Sequence, residues 1–443
     1  MDVVKYHVSP APQKYLVLGF AIIIIIGAFL LSLPISSKSG IGLKFIDALF
    51  TAASATCVTG LVVVDTGTQF TLFGQIVMLV MVQLGGLGFM TMTTWFAVML
   101  RKRVTLRDRL ILKESMNQSS LEGLVRLVRK VILYSMGIEF AAAVFFAIRW
   151  SYEMPASKAF YYGIFHAISI FNNAGFDLFG GLTPYVDDYM INAVSIVLII
   201  LGGIGFIVMS DIIEYPKTRR LSLHSKVVLY ASGVLVALGA VVIFIFEFTN
   251  MRTMGMLDLE HKIIASFFQS TSLRSSGTST VDISQLRQAT QFFMIILMFI
   301  GAAPGSTGGG IKITTFVILL GAVITMIRGR EDVVLFRNRL AKEQTYKAIT
   351  VTMIGLFLLV ASVLVLCMIE SKPFLAIMFE AASAFGTVGM SMGITSDLTM
   401  AGKILIILMM FAGRLGPVTL AYAIQMKPEK QLYRYPEGKI IIG

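Results

Sequence analysis

Four segments of the chain share one spacing. In each, a phenylalanine is followed four residues later by serine or threonine, and six further on by glycine. The sets are Phe50, Ser54, Gly60; Phe165, Ser169, Gly175; Phe267, Thr271, Gly277; and Phe379, Ser383, Gly389. The glycines stand 115, 102 and 112 residues apart. A second echo follows each glycine by 24 to 27 residues: Gly85-Gly86-Leu87-Gly88-Phe89, Gly202-Gly203-Ile204-Gly205-Phe206, Gly301, and Gly413-Arg414-Leu415-Gly416. Self-similarity at a fixed period marks one supersecondary unit used repeatedly. The chain therefore divides into units 1–122, 123–222, 223–342 and 343–443.

Each unit must work in a membrane. Of 443 residues, 56% are hydrophobic and 14% charged, and the mean hydropathy is +0.82. A soluble domain carries roughly 25% charged residues, and this chain has too little charge to cover soluble cores. The run 15–34 is uncharged and long enough to cross hydrocarbon, which takes about 20 helical residues. It is too long for a cleaved signal, and no small-residue cleavage site follows it. The runs 131–148, 227–246 and 348–369 repeat it. After each comes a segment of about 15 residues that is moderately apolar, ends on polar residues and reads as re-entrant. Second long spans, 72–100, 189–210, 288–327 and 404–426, close the units. The expected fold is an all-α polytopic membrane protein. It has four parallel span–pore-helix–span repeats in pseudo-fourfold arrangement around one pore, with eight transmembrane spans.

Of the 37 Lys and Arg residues, 25 fall on the side holding both termini and the long loops, and 10 on the side of the short segments. The positive-inside rule places the first side, with the N- and C-termini, in the cytoplasm. This bias explains the net charge of +12 better than nucleic-acid binding does. All four units then point the same way, which suits a pore rather than the inverted repeats of many carriers.

The return loops are Thr56-Cys57-Val58-Thr59-Gly60, Phe171-Asn172-Asn173-Ala174-Gly175, Leu273-Arg274-Ser275-Ser276-Gly277 and Phe385-Gly386-Thr387-Val388-Gly389. None pairs a nucleophile with a base or clusters metal ligands. HExxH is absent, and two cysteines, Cys57 and Cys367, imply no disulfide framework. An enzyme is therefore not expected, and no cofactor is expected in this chain. The loops offer main-chain carbonyls. Four such loops can form oxygen rings that replace the hydration shell of a monovalent cation. Each short helix adds roughly half a negative charge at its C-terminal end.

Thr387-Val388-Gly389 resembles the centre of the potassium-channel signature. Four non-identical span–loop–span units in one chain resemble the Ktr/Trk/HKT superfamily of potassium transporters, in particular its Ktr-type membrane subunit. Asn172-Asn173-Ala174-Gly175-Phe176, Ser383–Gly389 and 301–313 are typical of it. The resemblance implies potassium uptake across a bacterial cell membrane, driven by the electrochemical gradient. It makes Gly60, Gly175, Gly277 and Gly389 the filter glycines that bind potassium, each within its loop as quoted above. It further implies a homodimer with one pore per subunit. The partner would be a cytosolic regulatory ring that binds ATP or ADP, with cyclic di-AMP as a further ligand of that ring, and sodium activation is common among relatives. One departure stands out. The family usually has Arg-Thr-Ala-Gly-Phe in the third loop, whereas here it is Arg274-Ser275-Ser276-Gly277-Thr278.

The second span of unit three is expected to break at 301–312. Gly301, Pro304, Gly305, Gly308, Gly309 and Gly310, with Ser306 and Thr307 among them, cannot sustain a helix. The functional reading is a gating loop beneath the filter, and the resemblance implies the same. Lys312 stands one position late for a phosphate loop, between apolar spans, so a nucleotide site is rejected. Arg414 is a charge inside an apolar span and should face the bundle interior with a partner: loop carbonyls, or an acidic group. His166 and Glu380, each nine residues before a filter glycine, are expected to hydrogen-bond behind the loops. Glu139, Glu247 and Glu370 are expected to pair helices or mark span ends. Asp177, Asp187, Asp188 and Asp258 could concentrate cations outside. The basic stretch 101–130 suits anionic lipid or a docking partner equally. The competing function is a coupled secondary carrier for a small solute, with the acidic residues within spans as its coupling sites.

Overall fold

The computed structural model describes residues 12–88, 91, 94, 110, 124–416 and 419. The basic stretch 101–123 apart from Leu110, the C-terminal tail beyond 419, and most of the C-terminal ends of the first and fourth second spans, from 89 and 417 onward, lie outside the described residues.

The apolar runs form long helices. Pro12–Ser32, Leu124–Trp150, Leu223–Glu247 and Lys342–Ile369 are the four described helices long and apolar enough to cross a membrane. Between 28% and 39% of each apolar window is buried. The outward faces carry Leu18, Phe29, Phe140 and Phe357, all large, apolar and exposed. Such faces belong in lipid. Inside these helices stand four shorter ones: Phe45–Thr56, Ala156–Phe171, Leu259–Ser272 and Phe374–Gly386. They fall where the sequence placed re-entrant segments. At 12 to 16 residues they fall short of a bilayer crossing. Their last turns are almost wholly buried.

The third helices start on side-chain caps. Thr71 accepts from the Gly74 N–H, Asp188 from that of Ile191, and Thr399 from that of Gly402. In unit three the cap comes from the first span, where buried Glu247 accepts the Arg287 N–H at 3.0 Å and also holds Asn250, Thr253 and Thr290. Glu370 likewise accepts the Thr399 N–H. Both glutamates therefore mark span ends, joining first to second spans.

The second spans differ from expectation. Only the third was expected to break, yet the first helix runs Leu72–Gly86, and the second is Tyr189–Gly203 followed by Phe206–Thr218 with a bend of 103°. The fourth, Met400–Leu415, ends at Gly416. The cause is one glycine per unit: Gly88, Gly205 and Gly416 have φ of +83°, +89° and +84°, a region that L-residues avoid. An apolar run does not reveal that reversal. In unit three Gln288–Phe299 and Ile313–Ile327 flank the irregular segment, as expected.

Unit three also departs in register. Phe50, Phe165 and Phe379 are fully buried, whereas Phe267 is 37% exposed and Phe268 is buried. Phe268 and Ser272, not Phe267 and Thr271, occupy the places of Phe165 and Ser169. The third loop is thus one residue shorter between its hydroxyl and its glycine.

Candidate functional site

The four return loops meet. A Cβ built on Gly60 would lie 2.5 Å from the Ala174 carbonyl oxygen, and one on Gly175 would lie 2.7 Å from that of Ser276. One on Gly277 would strike the Val388 carbonyl, and one on Gly389 the Thr59 carbonyl. All four approaches are under 3.0 Å, closer than real Cβ contacts. The contacts run from loop one to two, two to three, three to four and four back to one. They close a ring in which four glycines alternate with the carbonyls of Thr59, Ala174, Ser276 and Val388. The glycines have φ of +91°, +72°, +71° and +90°. Both the backbone angle and the space demand glycine at each position.

Hydrogen bonds fix three loops alike. The Thr59, Ala174 and Val388 N–H groups donate to the carbonyls of Ser54, Ser169 and Ser383 at 2.7–2.9 Å. The Ser54 and Ser383 hydroxyls accept from Gly60 and Gly389 at 3.0 Å, and the Ser169 hydroxyl donates to the Phe176 carbonyl at 2.6 Å. Each loop turns through one left-handed residue: Val58, Asn173 or Thr387, at +57°, +58° and +49°. The shorter third loop has none. Ser276 bonds back to the Ser272 carbonyl, and the Ser272 hydroxyl reaches the Thr278 carbonyl. A hydroxyl network with Ser276 therefore occupies the place where an aromatic was missing from the motif.

Behind the loops stand buried polar side chains. His166 lies against Trp150 at 4.8 Å, with Nδ1 2.8 Å from the Tyr162 carbonyl and Nε2 accepting from the Leu178 N–H at 3.4 Å. Gln269 donates to Ser279 at 2.9 Å, and Glu380 accepts from Ser391 and Thr395. All three tie a short helix to the segment after its glycine. Glu139, expected from the sequence to pair helices or mark a span end, joins units one and two. It is buried, and accepts from Gln83 of unit one at 3.1 Å and from Asn172 of the second loop at 3.0 Å. Its partners lie 56 and 33 residues away, so no local pattern announces them.

One face of the ring opens into a cavity of about 360 Å³, lined by Gly175, Gly277, Gly389, Asp177, Asp282 and neighbours. The aspartates have structural work as well. Asp177 accepts the Phe179 and Gly181 N–H groups, Asp282 accepts that of Ser284, and Asp188 pairs with Arg149.

The segment 301–312 crosses the opposite face. It is tied to unit two by bonds from Ala303 and Thr307 to the Gly203 and Gly202 carbonyls. Gly310 binds the Gly413 carbonyl of unit four at 3.2 Å. Arg414 donates to the Thr307 carbonyl and to the carbonyls of Gly85 and Gly86 in unit one. Of the two partners considered for Arg414, the carbonyls are present, and no acidic side chain pairs with it among the described residues. Lys312 donates to the Gly308 carbonyl at 2.6 Å. The second echo also gains a reason. Gly85, Gly202 and Gly413 lie directly on the carbonyls of Thr56, Phe171 and Phe385, at the ends of the short helices, where no side chain fits.

A helical membrane protein in which irregular backbone from four loops converges on one ring of carbonyls has the arrangement of an ion-translocating protein. The comparisons give the family. The sequence matches the family described as TrkH, cation transport protein, over residues 14–435, and the chain belongs to it. It is a membrane cation transporter and not an enzyme. It is 43% identical over 443 residues to the Ktr system potassium uptake protein B of Bacillus subtilis (strain 168), covering 100% of this chain and 99% of that protein. It is 38% identical over 433 residues to the Ktr system potassium uptake protein B of Vibrio alginolyticus, covering 97% and 94%. The crystal structure of the potassium transporter TrkH from Vibrio parahaemolyticus superposes with a TM-score of 0.75 at 17% identity, covering 96% of this chain and 87% of that one.

Proposed function

We propose that this chain takes up potassium across the cell membrane through the ring of loops, down the electrochemical gradient. The observation that carries it is the closed sequence of approaches among Gly60, Gly175, Gly277 and Gly389. Carbonyls from four loops then face one axis and replace the water of a bare cation. The names of the two relatives, both potassium uptake proteins of a Ktr system, support potassium as the ion.

The finer reading has four parts. Each loop, 56–60, 171–175, 273–277 and 385–389, supplies filter carbonyls. The segment 301–312 is the gate, and Lys312 and Arg414 place positive charge beneath the filter while the gate is shut. The second spans, though broken, complete eight crossings with both termini in the cytoplasm. The chain works as a homodimer with a cytosolic nucleotide-binding ring, as the word "system" in the relatives' names suggests. Sodium activation belongs to the same reading.

Growth of potassium-deficient cells at low external potassium tests it. Wild type restores growth, and Gly60→Ser and Gly389→Ser, expressed to equal membrane levels, do not. Growth by both variants at the wild-type rate refutes the filter.

A further inference from the structure

The residue two before each filter glycine is Val58, Asn173, Ser275 or Thr387. Three of these four side chains meet three consecutive residues of the segment 301–312. The Asn173 amide donates to the Thr307 hydroxyl at 2.8 Å. The Ser275 hydroxyl lies where a Cβ on Gly308 would stand. The Gly309 N–H donates to the Thr387 hydroxyl at 2.8 Å. Units two, three and four thus each touch one residue of Thr307-Gly308-Gly309. The counterpart in unit one, Val58, has no polar group to offer.

The glycines make this fit possible. A Cβ on Gly308 would overlap Ser275, and one on Gly309 would overlap both Thr387 Oγ1 and Cγ2. Thr307 is fully buried, and its hydroxyl also reaches the Gly202 carbonyl at 3.1 Å. The two hydrogen-bonding residues, Asn173 and Thr387, are the left-handed residues of their loops. The conformation that aims their neighbours' carbonyls at the axis is therefore the one that carries the contact to the segment below. Filter loop and crossing segment share these residues and cannot shift independently.

We propose that Asn173 and Thr387 are latches that hold the gating segment directly against the selectivity filter, with Val58 marking the unlatched side. They are positioning residues: they act on the ion path through the segment they hold. This rests on the gate and filter of the proposed function. In this account, withdrawal of Thr307-Gly308-Gly309 breaks the Asn173 and Thr387 bonds and relaxes the second and fourth filter loops, while the first is undisturbed.

The test is rubidium uptake into proteoliposomes holding the purified full chain without any partner. Thr387→Val keeps shape and removes the acceptor. It should raise unstimulated uptake about five-fold, equivalent to roughly 1 kcal/mol in the closed–open balance. In a chain lacking 305–309, the same substitution should change nothing. An equal rise in that background places the hydroxyl's effect in the filter and overturns the latch, as does no rise in the intact chain. If the shortened chain does not assemble, Thr387→Ser decides: wild-type uptake supports the latch, and uptake like that of Thr387→Val overturns it. Gly277→Ser, run alongside for potassium-over-sodium preference, separates the two claims. If its preference is lost while Thr387→Val is silent, the latch alone fails. If its preference is kept, the filter reading beneath the latch fails.

Discussion

The third filter glycine offers the sharpest single substitution. Gly277 has φ +71°, and a Cβ there would meet the Val388 carbonyl oxygen, with Gly389 Cα at 3.1 Å. Gly277→Ser therefore costs about 1–2 kcal/mol for a left-handed L-residue, plus about 1–3 kcal/mol for overpacking against backbone. The total of roughly 2–5 kcal/mol is below the 5–15 kcal/mol that typically holds a protein folded, so the chain should still assemble. What yields is the ring. Val388 is held by its bond to the Ser383 carbonyl at 2.9 Å, so its oxygen can only move with its loop. Coordination that discriminates between cations of different radius is then lost on one side of the axis. A change of about 1.4 kcal/mol in relative binding is already tenfold, so potassium-over-sodium preference should fall at least about tenfold. The assay is reversal potential with potassium on one side of a bilayer and sodium on the other. Gly277→Ala separates the Cβ from the hydroxyl and should behave alike. Unchanged reversal potential and uptake in both variants would remove Gly277 from the filter and refute the reasoning.

Arg414→Ala removes the donors to Thr307, Gly85 and Gly86 together; unstimulated rubidium flux should rise several-fold, and wild-type flux would exclude a pore role. Glu247→Gln keeps one acceptor oxygen where a carboxylate now serves four donors. Two lost bonds, each worth about 0.5–1.5 kcal/mol, should lower the melting temperature in detergent while ion preference stays as in wild type. Glu139→Leu leaves the half-buried Gln83 amide without its acceptor, while Asn172 keeps the Gln83 and Ile168 oxygens. A penalty of about 1–3 kcal/mol for an orphaned group should appear both as lower thermal stability and as weakened potassium preference, measured by competition with sodium in rubidium uptake.

Much of this was legible in the residues. The first spans, the re-entrant helices, the meeting of Gly60, Gly175, Gly277 and Gly389, and the irregular backbone at 301–312 follow from hydropathy, length and the spacing of glycines. Other features lay hidden for definite reasons. The doublets Phe267-Phe268 and Thr271-Ser272 both keep the four-residue step, and the six-residue step to Gly277 favours the first register, so the shortened third loop shows only in which phenylalanine is buried. The positive-φ glycines Gly88 and Gly205 sit inside unbroken apolar runs, and hydropathy carries no information about φ. The carboxylate behind the second loop is invisible because Glu139 meets Gln83 and Asn172 only after two units have docked. Asp177 and Asp188 show the reverse case. Their charge suggests cation attraction, and the structure adds work that the sequence does not show: both accept backbone N–H groups, and Asp188 pairs with Arg149.

The most direct measurement is anomalous diffraction from crystals of this protein grown in rubidium. A peak on the axis enclosed by the carbonyls of Thr59, Ala174, Ser276 and Val388 is the predicted result. Peaks confined to other positions, with that ring holding no ion at saturating rubidium, would contradict it.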